Sequence, residues 1–391
     1  MKDPFPLPPP EWLVANVQPL AEYVGLPTLA LHAHEVIFAF CLYTFIGSVV
    51  SPILSTWLVP DTYKSLNHRT KVNWDVHVVS FFQSVLICAL SLYVMFYDEE
   101  RKAVRPRAQW EGRVWEYTGM SGLCQSFALG YFLWDLIQCT YHVEIFGIGM
   151  LAHAISAVSV FALGYRPFLY FYAPVFLLYE LSSPLLNIHW FCDKLNLTGS
   201  PIQAINGAFL VASFFSCRLV WGNYSSVLVF IDVYNAVFHG NTFITKNSTL
   251  APTHYSTQDL LSIYADEQGQ RLAFAGGEGV PLWLGLVYLA SNLTLNSLNI
   301  FWFGKMIETI RSRFEPPLGT KGVGKDVKHW EPEEKIKAAA KDGANAARAA
   351  AERVMNAPIL QDDVDVQKVT QADGSKSVEV TQRTLRTRRK A

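Results

Sequence analysis

Charge is scarce in this chain: only 17% of its 391 residues are Asp, Glu, Lys or Arg, too few for an ordinary soluble domain of this length. Cysteine is scarce too. The six present (Cys41, Cys88, Cys124, Cys139, Cys192, Cys217) fall singly, mostly inside apolar blocks, with no CxxC pair or zinc-like spacing. That pattern argues against a disulfide scaffold and a cysteine metal centre. Nothing resembles a phosphate-cradling glycine loop, a GxSxG elbow or an HExxH helix, so neither cofactor nor metal is expected. The N-terminal MKDPFPLPPPEW is proline-rich without a long apolar stretch. It does not read as a cleaved signal peptide, and the first span would serve as an uncleaved insertion signal.

What the chain has in quantity is apolar residues, 51% of the total, with 14% aromatic. They gather into blocks of about twenty residues, the length that crosses a ~30 Å hydrocarbon core as helix. The expected fold is therefore all-α and multi-pass, with spans near 35–58, 74–97, 119–141, 145–164, 168–190, 202–236 and 281–307. The sixth exceeds one perpendicular crossing. Trp221, Gly222 and Asn223 interrupt it, leaving open a single kinked helix or two shorter pieces.

The loops are short except for the charged stretch 98–118 and the polar stretch 239–280, which holds the sequon Asn247-Ser-Thr249. From Lys305 onward there are 18 Lys/Arg against 13 Asp/Glu, and 14 against 20 before it. A basic tail lacking interleaved aromatics fits an anionic cytoplasmic leaflet and not nucleic acid. The tail is expected in the cytosol, with the N-terminus and the 239–280 loop lumenal and Asn247 open to glycosylation. Within 308–391, an Ala-rich charged stretch has high helix propensity but little apolar surface, and the end beyond Pro358 reads as disordered.

Ionisable side chains at bilayer depth are costly unless paired or solvated, and so tend to mark a cavity. Trp74, His77 and Ser80 share one face of the second span, and Tyr131 and Asp135 one face of the third. His153 follows Gly147 and Gly149, which are expected to permit close helix approach. In YELSSPLLNIHWFCDKL, Tyr179, Ser183 and Asn187 repeat every four residues beside Glu180, and Pro184 favours a kink at the level of Glu180. Asn206, Asn292 and Asn296 read as bridges between helices, and Arg218 as an interfacial residue that snorkels. Asn299 and Trp302 add polar or amphipathic positions to the last span. The quartet His77, Asp135, His153 and Glu180 is expected to line one cavity.

The run from Trp74 to Phe303 resembles the TLC domain family, shared by ceramide synthases, translocating-chain-associated membrane proteins and smaller TLC-domain proteins. The resemblance rests on His77, GYFLWDL with Asp135, His153, YELSSPLLNIHWFCDKL, INGAFLVASFFSCRL and LNIFWFGKMI. It is closer to the smaller TLC-domain proteins than to ceramide synthases. The resemblance implies a six-helix barrel around a membrane-accessible cavity over 74–307, preceded by an extra helix at 35–58 and a Pro-rich segment at 1–34. It also implies residence in the endoplasmic reticulum. Ceramide synthases carry a His-His pair and a His-Asp motif, whereas this chain has His153-Ala154 and Tyr179-Glu180 in the corresponding regions.

Two functions are compatible with these residues. The first is lipid or acyl-chain handling in a mostly apolar cavity with a few polar groups, contributing to lipid homeostasis. The second is an acyl-CoA-dependent N-acyltransferase of ceramide-synthase type, with His153 as base or nucleophile oriented by Glu180 or Asp135. Membrane lipids are the expected partners, and acyl-CoA would be a co-substrate only in the second case. The candidate cavity residues are Trp74, His77, Tyr131, Asp135, His153, Tyr179, Glu180, Ser183, Asn187, Asn206, Asn299 and Trp302.

Overall fold

The computed structural model describes residues 2–166, 168–239, 255–265, 273–274 and 281–314, together with the backbone of two short strands in the tail. The sequon at Asn247 lies outside the described residues. So does most of the tail, in which 366–370 pairs antiparallel with 376–380.

Apart from that strand pair, the described secondary structure is all-α, and the chain is a multi-pass membrane protein. Among the described residues five helices are long and apolar enough to cross a bilayer: Leu29–Leu58, His68–Tyr97, Val143–Leu163, Pro201–Phe238 and Leu282–Arg311. Their outward faces expose Ile53, Phe96, Ile155, Phe209 and Ile300, residues that a lipid environment accepts and water does not. Side-chain caps fix several helix starts. Asn67 Oδ1 accepts from the Thr70 amide at 2.8 Å, and the Ser200 hydroxyl from the Gln203 amide at 3.3 Å, ahead of Pro201 at the first helical position.

Two of the expected spans turn out differently. Gly119–Tyr141 is a helix of 23 residues, long enough to cross at ~1.5 Å per residue, but it is enclosed by protein. Ser121, Gln125, Ser126 and Asp135 are buried along it, which lowers its apolarity below that of the lipid-facing helices. A helix wrapped by other helices needs no apolar perimeter. The expected span at 168–190 is broken: Ala173–Leu177 and Ser183–Lys194 are α-helical, joined by a 3-10 stretch over Leu178–Ser182. Pro184 has no N–H for the carbonyl four residues back and crowds it, so the break falls at the level of Glu180.

The sixth span is a single helix, Pro201–Phe238, with a π-helical stretch at Phe215–Trp221 that takes up the interruption. The anticipated role of Gly147 and Gly149 in close packing is not what the structure shows. Gly147 has φ +77° and breaks its helix, and a Cβ on Gly149 would meet nothing within 4 Å. Close approach belongs to Gly130, where a Cβ would sit 2.9 Å from the Val36 carbonyl and the Phe40 amide. There Gly119–Tyr141 packs on Leu29–Leu58, backbone against backbone.

The helices alternate in direction. Val14, Leu31, Tyr117, Tyr170, Leu260 and Phe274 share one apolar cluster, so the N-terminal segment, the 98–118 loop and the described part of the 239–280 loop lie at one end of the bundle. His68 and His142 meet at the other end, ring centroids 6.4 Å apart.

Arg101 and Arg113, which complicate the positive-inside count of the 98–118 loop, are both buried. Arg101 donates to the Phe171 carbonyl at 3.1 Å and lies over the Phe171 ring. Arg113 grips Asp232 and donates to the carbonyls of Val104 and Pro106. These charges are spent on holding the loop and are not offered to a membrane surface.

Candidate functional site

A cavity with about 960 Å³ of atom-free space, its mouth included, opens between Gly119–Tyr141, Val143–Leu163, the broken segment at 168–180, Pro201–Phe238 and Leu282–Phe314. Most of its wall is apolar, with Phe132, Phe161, Phe168, Phe176, Leu177, Val229 and Leu295. Its polar lining is furnished chiefly by His153, Tyr179, Glu180, Arg218, Asn292 and Asn299. The combination of a large apolar wall and a few convergent polar groups is that of a ligand pocket.

Arg218 organises the polar part. Its Nε donates to the Tyr179 carbonyl at 2.8 Å and the Ser182 hydroxyl at 3.1 Å, Nη1 to Asn299 Oδ1 at 3.2 Å and Nη2 to the Ser183 hydroxyl at 3.2 Å. Glu180 Oε1 lies 3.7 Å from Nη2, both side chains nearly buried. Arg218 is therefore not the snorkelling residue anticipated from the sequence. The π-helical stretch and the 3-10 stretch face each other here, and the guanidinium fork ties the two irregular turns together.

Two buried polar atoms at this site lack partners among the described residues: Nδ1 of His153 and Nδ2 of Asn299. A buried polar atom left unpaired costs of order 1–3 kcal/mol, and both side chains line the cavity. Trp302 packs edge-on against the His153 ring at 5.5 Å. Tyr179 spans the site, its hydroxyl donating to Asn296 Oδ1 at 3.0 Å. Asn296 in turn donates to the Ser226 hydroxyl and to Asn292 Oδ1.

The remaining candidates lie elsewhere. His77 Nδ1 and Asn187 Oδ1 are 2.6 Å apart, Asn187 Nδ2 donates to the Ser80 hydroxyl at 3.2 Å, and the imidazole stacks on Trp190 at 4.2 Å. Trp74 Nε1 donates to the Ser55 hydroxyl at 2.8 Å. None of these four residues, His77, Asn187, Trp190 and Trp74, is among those lining the cavity. The expected face Tyr179-Ser183-Asn187 is divided because each 3-10 residue turns the chain by ~120° instead of ~100°. Asp135 is buried between the two groups, close enough to Glu180 and Tyr131 for electrostatic interaction, and accepts from the Cys139 thiol at 3.7 Å. Asn206 donates to the Leu185 carbonyl at 2.8 Å, a bridge between helices.

Of the expected quartet, then, His153 and Glu180 line the cavity, Asp135 sits behind it, and His77 belongs to a separate cluster. Trp74, His77 and Asn187 were expected in the cavity and lie outside it, and Arg218 is a cavity residue that the sequence reading placed at an interface. The available signal was its position near the middle of an apolar helix, too far from either end for the side chain to reach an interface.

Comparison with known proteins bears on what this cavity belongs to. Residues 73–308 match the TLC domain. The chain belongs to the TLC domain family. It is 34% identical to a TLC domain-containing protein of Schizosaccharomyces pombe over 76% of this chain and 85% of that one. It is 27% identical to Topoisomerase I damage affected protein 4 of Saccharomyces cerevisiae, over 73% and 86% of the two chains. To TLC domain-containing protein 4 of Homo sapiens it is 25% identical, over 50% and 69%. The first and third of these relatives bear the name TLC domain-containing protein and none of the three is named a ceramide synthase, in keeping with the resemblance seen in the sequence. The cavity residues, Gln125 to Asn299, fall wholly inside the TLC domain, and Leu29–Leu58 packs against it from outside.

Proposed function

We propose that this protein binds a lipid or acyl chain in the TLC cavity and contributes to lipid handling in the endoplasmic reticulum membrane. The observation that carries this reading is the pairing of an aromatic, apolar wall with two unpartnered polar atoms, His153 Nδ1 and Asn299 Nδ2. An acyl chain fits the wall. A headgroup oxygen would accept from Asn299, and a hydroxyl or oxygen would complete His153.

Acyl transfer of ceramide-synthase type has less support. Among the described residues His153 Nδ1 has no hydrogen-bond partner, and Glu180 is engaged with Arg218, so no described carboxylate orients the imidazole at that nitrogen as such chemistry requires.

The test is native mass spectrometry and lipid extraction of the full chain purified in mild detergent. A co-purifying lipid is expected, diminished by Asn299→Leu and His153→Ala and retained in Asn187→Ala, which perturbs only the His77 cluster. Equal occupancy in all variants would place lipid outside the cavity. Incubation with acyl-CoA and a sphingoid base should give no ceramide. N-acylation lost in His153→Ala would establish the enzyme instead.

A further inference from the structure

Outside the TLC domain, at the end of the bundle that carries the N-terminal segment, two carboxylates and an imidazole meet in the protein interior. His32 Nδ1 is 2.9 Å from Glu35 Oε2 and 3.5 Å from Asp3 Oδ2, and the three side chains are at most 1% exposed. One ligand atom from each lies within 4.8 Å of the others. We propose that Asp3, His32 and Glu35 form a binding site for a divalent transition-metal ion, with Zn²⁺ the ion whose ligand preferences they fit.

Geometry is the first support. Donors held at ~2.0–2.1 Å around a tetrahedral ion lie about 3.4 Å apart, and the observed separations of 2.9 and 3.5 Å bracket that spacing. Unsatisfied ligand atoms are the second. Among the described residues Asp3 Oδ2, which faces His32, is buried without a hydrogen-bond partner, as is Glu35 Oε1, the oxygen turned toward His34 Nε2 at 3.5 Å, and neither carboxylate has a Lys or Arg ion pair. A dication would take the place of the proton that two adjoining buried carboxyls otherwise hold between them.

The surroundings are shaped around the three side chains. His32 Nε2 shares a hydrogen bond of 2.7 Å with the Tyr117 hydroxyl. With Nε2 as the donor, Nδ1 carries its lone pair toward the carboxylates, the orientation a metal ligand needs. A Cβ on Gly122 would fall on the His32 ring, and one on Gly119 would sit 2.7 Å from the Asp3 amide and 3.1 Å from its Cβ. The GMSG start of Gly119–Tyr141 is thus the recess into which both ligands fit. The N-terminal segment reaches the site because Phe5 packs edge-on against His34 and Phe38, and the Phe5 amide donates to Asp3 Oδ1 at 2.8 Å. A bound ion would staple this segment to Leu29–Leu58. One nitrogen and two oxygens form a donor set for Zn²⁺ or Mn²⁺ more than for Ca²⁺, which takes oxygen ligands alone.

The experiment uses full-length protein in detergent, stripped with chelator and titrated with Zn²⁺, Co²⁺ or Ca²⁺. Zn²⁺ is expected to bind at one equivalent per chain, to raise the thermal midpoint and to protect the N-terminal segment from proteolysis. Co²⁺ should give visible ligand-field bands. Glu35→Gln and Asp3→Asn, nearly isosteric, should each weaken Zn²⁺ binding at least tenfold and abolish the midpoint shift. Should either variant misfold, Tyr117→Phe keeps all three ligands and is expected to weaken binding about 10–100-fold through loss of the imidazole's outer partner. No Zn²⁺-dependent shift in the wild type, Zn²⁺ affinity unchanged in these variants, or stabilisation by Ca²⁺ in place of Zn²⁺ would each overturn the proposal.

Discussion

Arg113 holds both carboxylate oxygens of Asp232, Nε to Oδ2 at 2.7 Å and Nη2 to Oδ1 at 2.9 Å, with both side chains buried. Tyr172, which lines the cavity, donates to the same carboxylate at 2.6 Å. The 98–118 loop is thereby latched to Pro201–Phe238 beside the cavity. Removing one partner from a buried pair strands the other charge, a loss of about 3–5 kcal/mol. Asp232→Leu is expected to lower stability by that order in detergent thermal unfolding. The double substitution Arg113→Met, Asp232→Leu should lose less than the sum of the singles. Strict additivity would show that the two side chains act independently.

Arg218 is the corresponding tie inside the cavity. Arg218→Leu leaves Glu180 without its counter-ion and Asn299 without its donor, and is expected to cost about 3–5 kcal/mol. Arg218→Lys keeps the charge but cannot reproduce the fork to Tyr179, Ser183 and Asn299. It should recover part of the stability and little of the lipid occupancy. Thermal midpoint and bound lipid, measured on the same samples, separate the two effects.

Glycine substitutions should split sharply by location. A Cβ on Gly222 would fall on the Tyr179 hydroxyl. Gly222→Ala should therefore displace the ring, break its bond to Asn296, and cost about 1–3 kcal/mol. A Cβ on Gly149 meets nothing within 4 Å, and alanine there should change stability by no more than about 0.5 kcal/mol. Equal effects at the two positions would contradict the packing described.

Topology offers a fourth measurement. The N-terminal segment and the described part of the 239–280 loop share one end of the bundle, so Asn247 and the N-terminus are expected on one face of the membrane. A mass shift removed by endoglycosidase and by Asn247→Gln is expected in eukaryotic cells, with no glycan on a sequon engineered after Ala391. A glycan on the engineered sequon alone would invert the orientation and with it the cytosolic placement of the tail.

Much of the fold was legible along the chain because a bilayer imposes a length and a composition on whatever crosses it. The apolar blocks, and the kink that Pro184 favours at the level of Glu180, act through neighbours a few residues apart. Family membership was legible for a related reason, since YELSSP and NIHWF are contiguous. The two departures, an enclosed Gly119–Tyr141 and a broken 168–190, concern which helices meet lipid, and that depends on packing.

The candidate site divides along the same line. Sequence periodicity grouped Tyr179, Ser183 and Asn187, but it assumes one helical twist throughout, and the 3-10 stretch rotates Asn187 away to His77. Arg218 could be located in the middle of an apolar helix from the sequence alone, yet its acceptors lie 35 to 81 residues away in the chain. Asp3 and His32 meet at the recess left by Gly119 and Gly122, a juxtaposition without local signature. The sequence by itself determined a multi-pass α-helical TLC protein with polar groups that had to be hidden from lipid. Which of those groups face one another was decided only in the tertiary structure, because satisfaction of a buried charge is a long-range contact and the chain records only its ends.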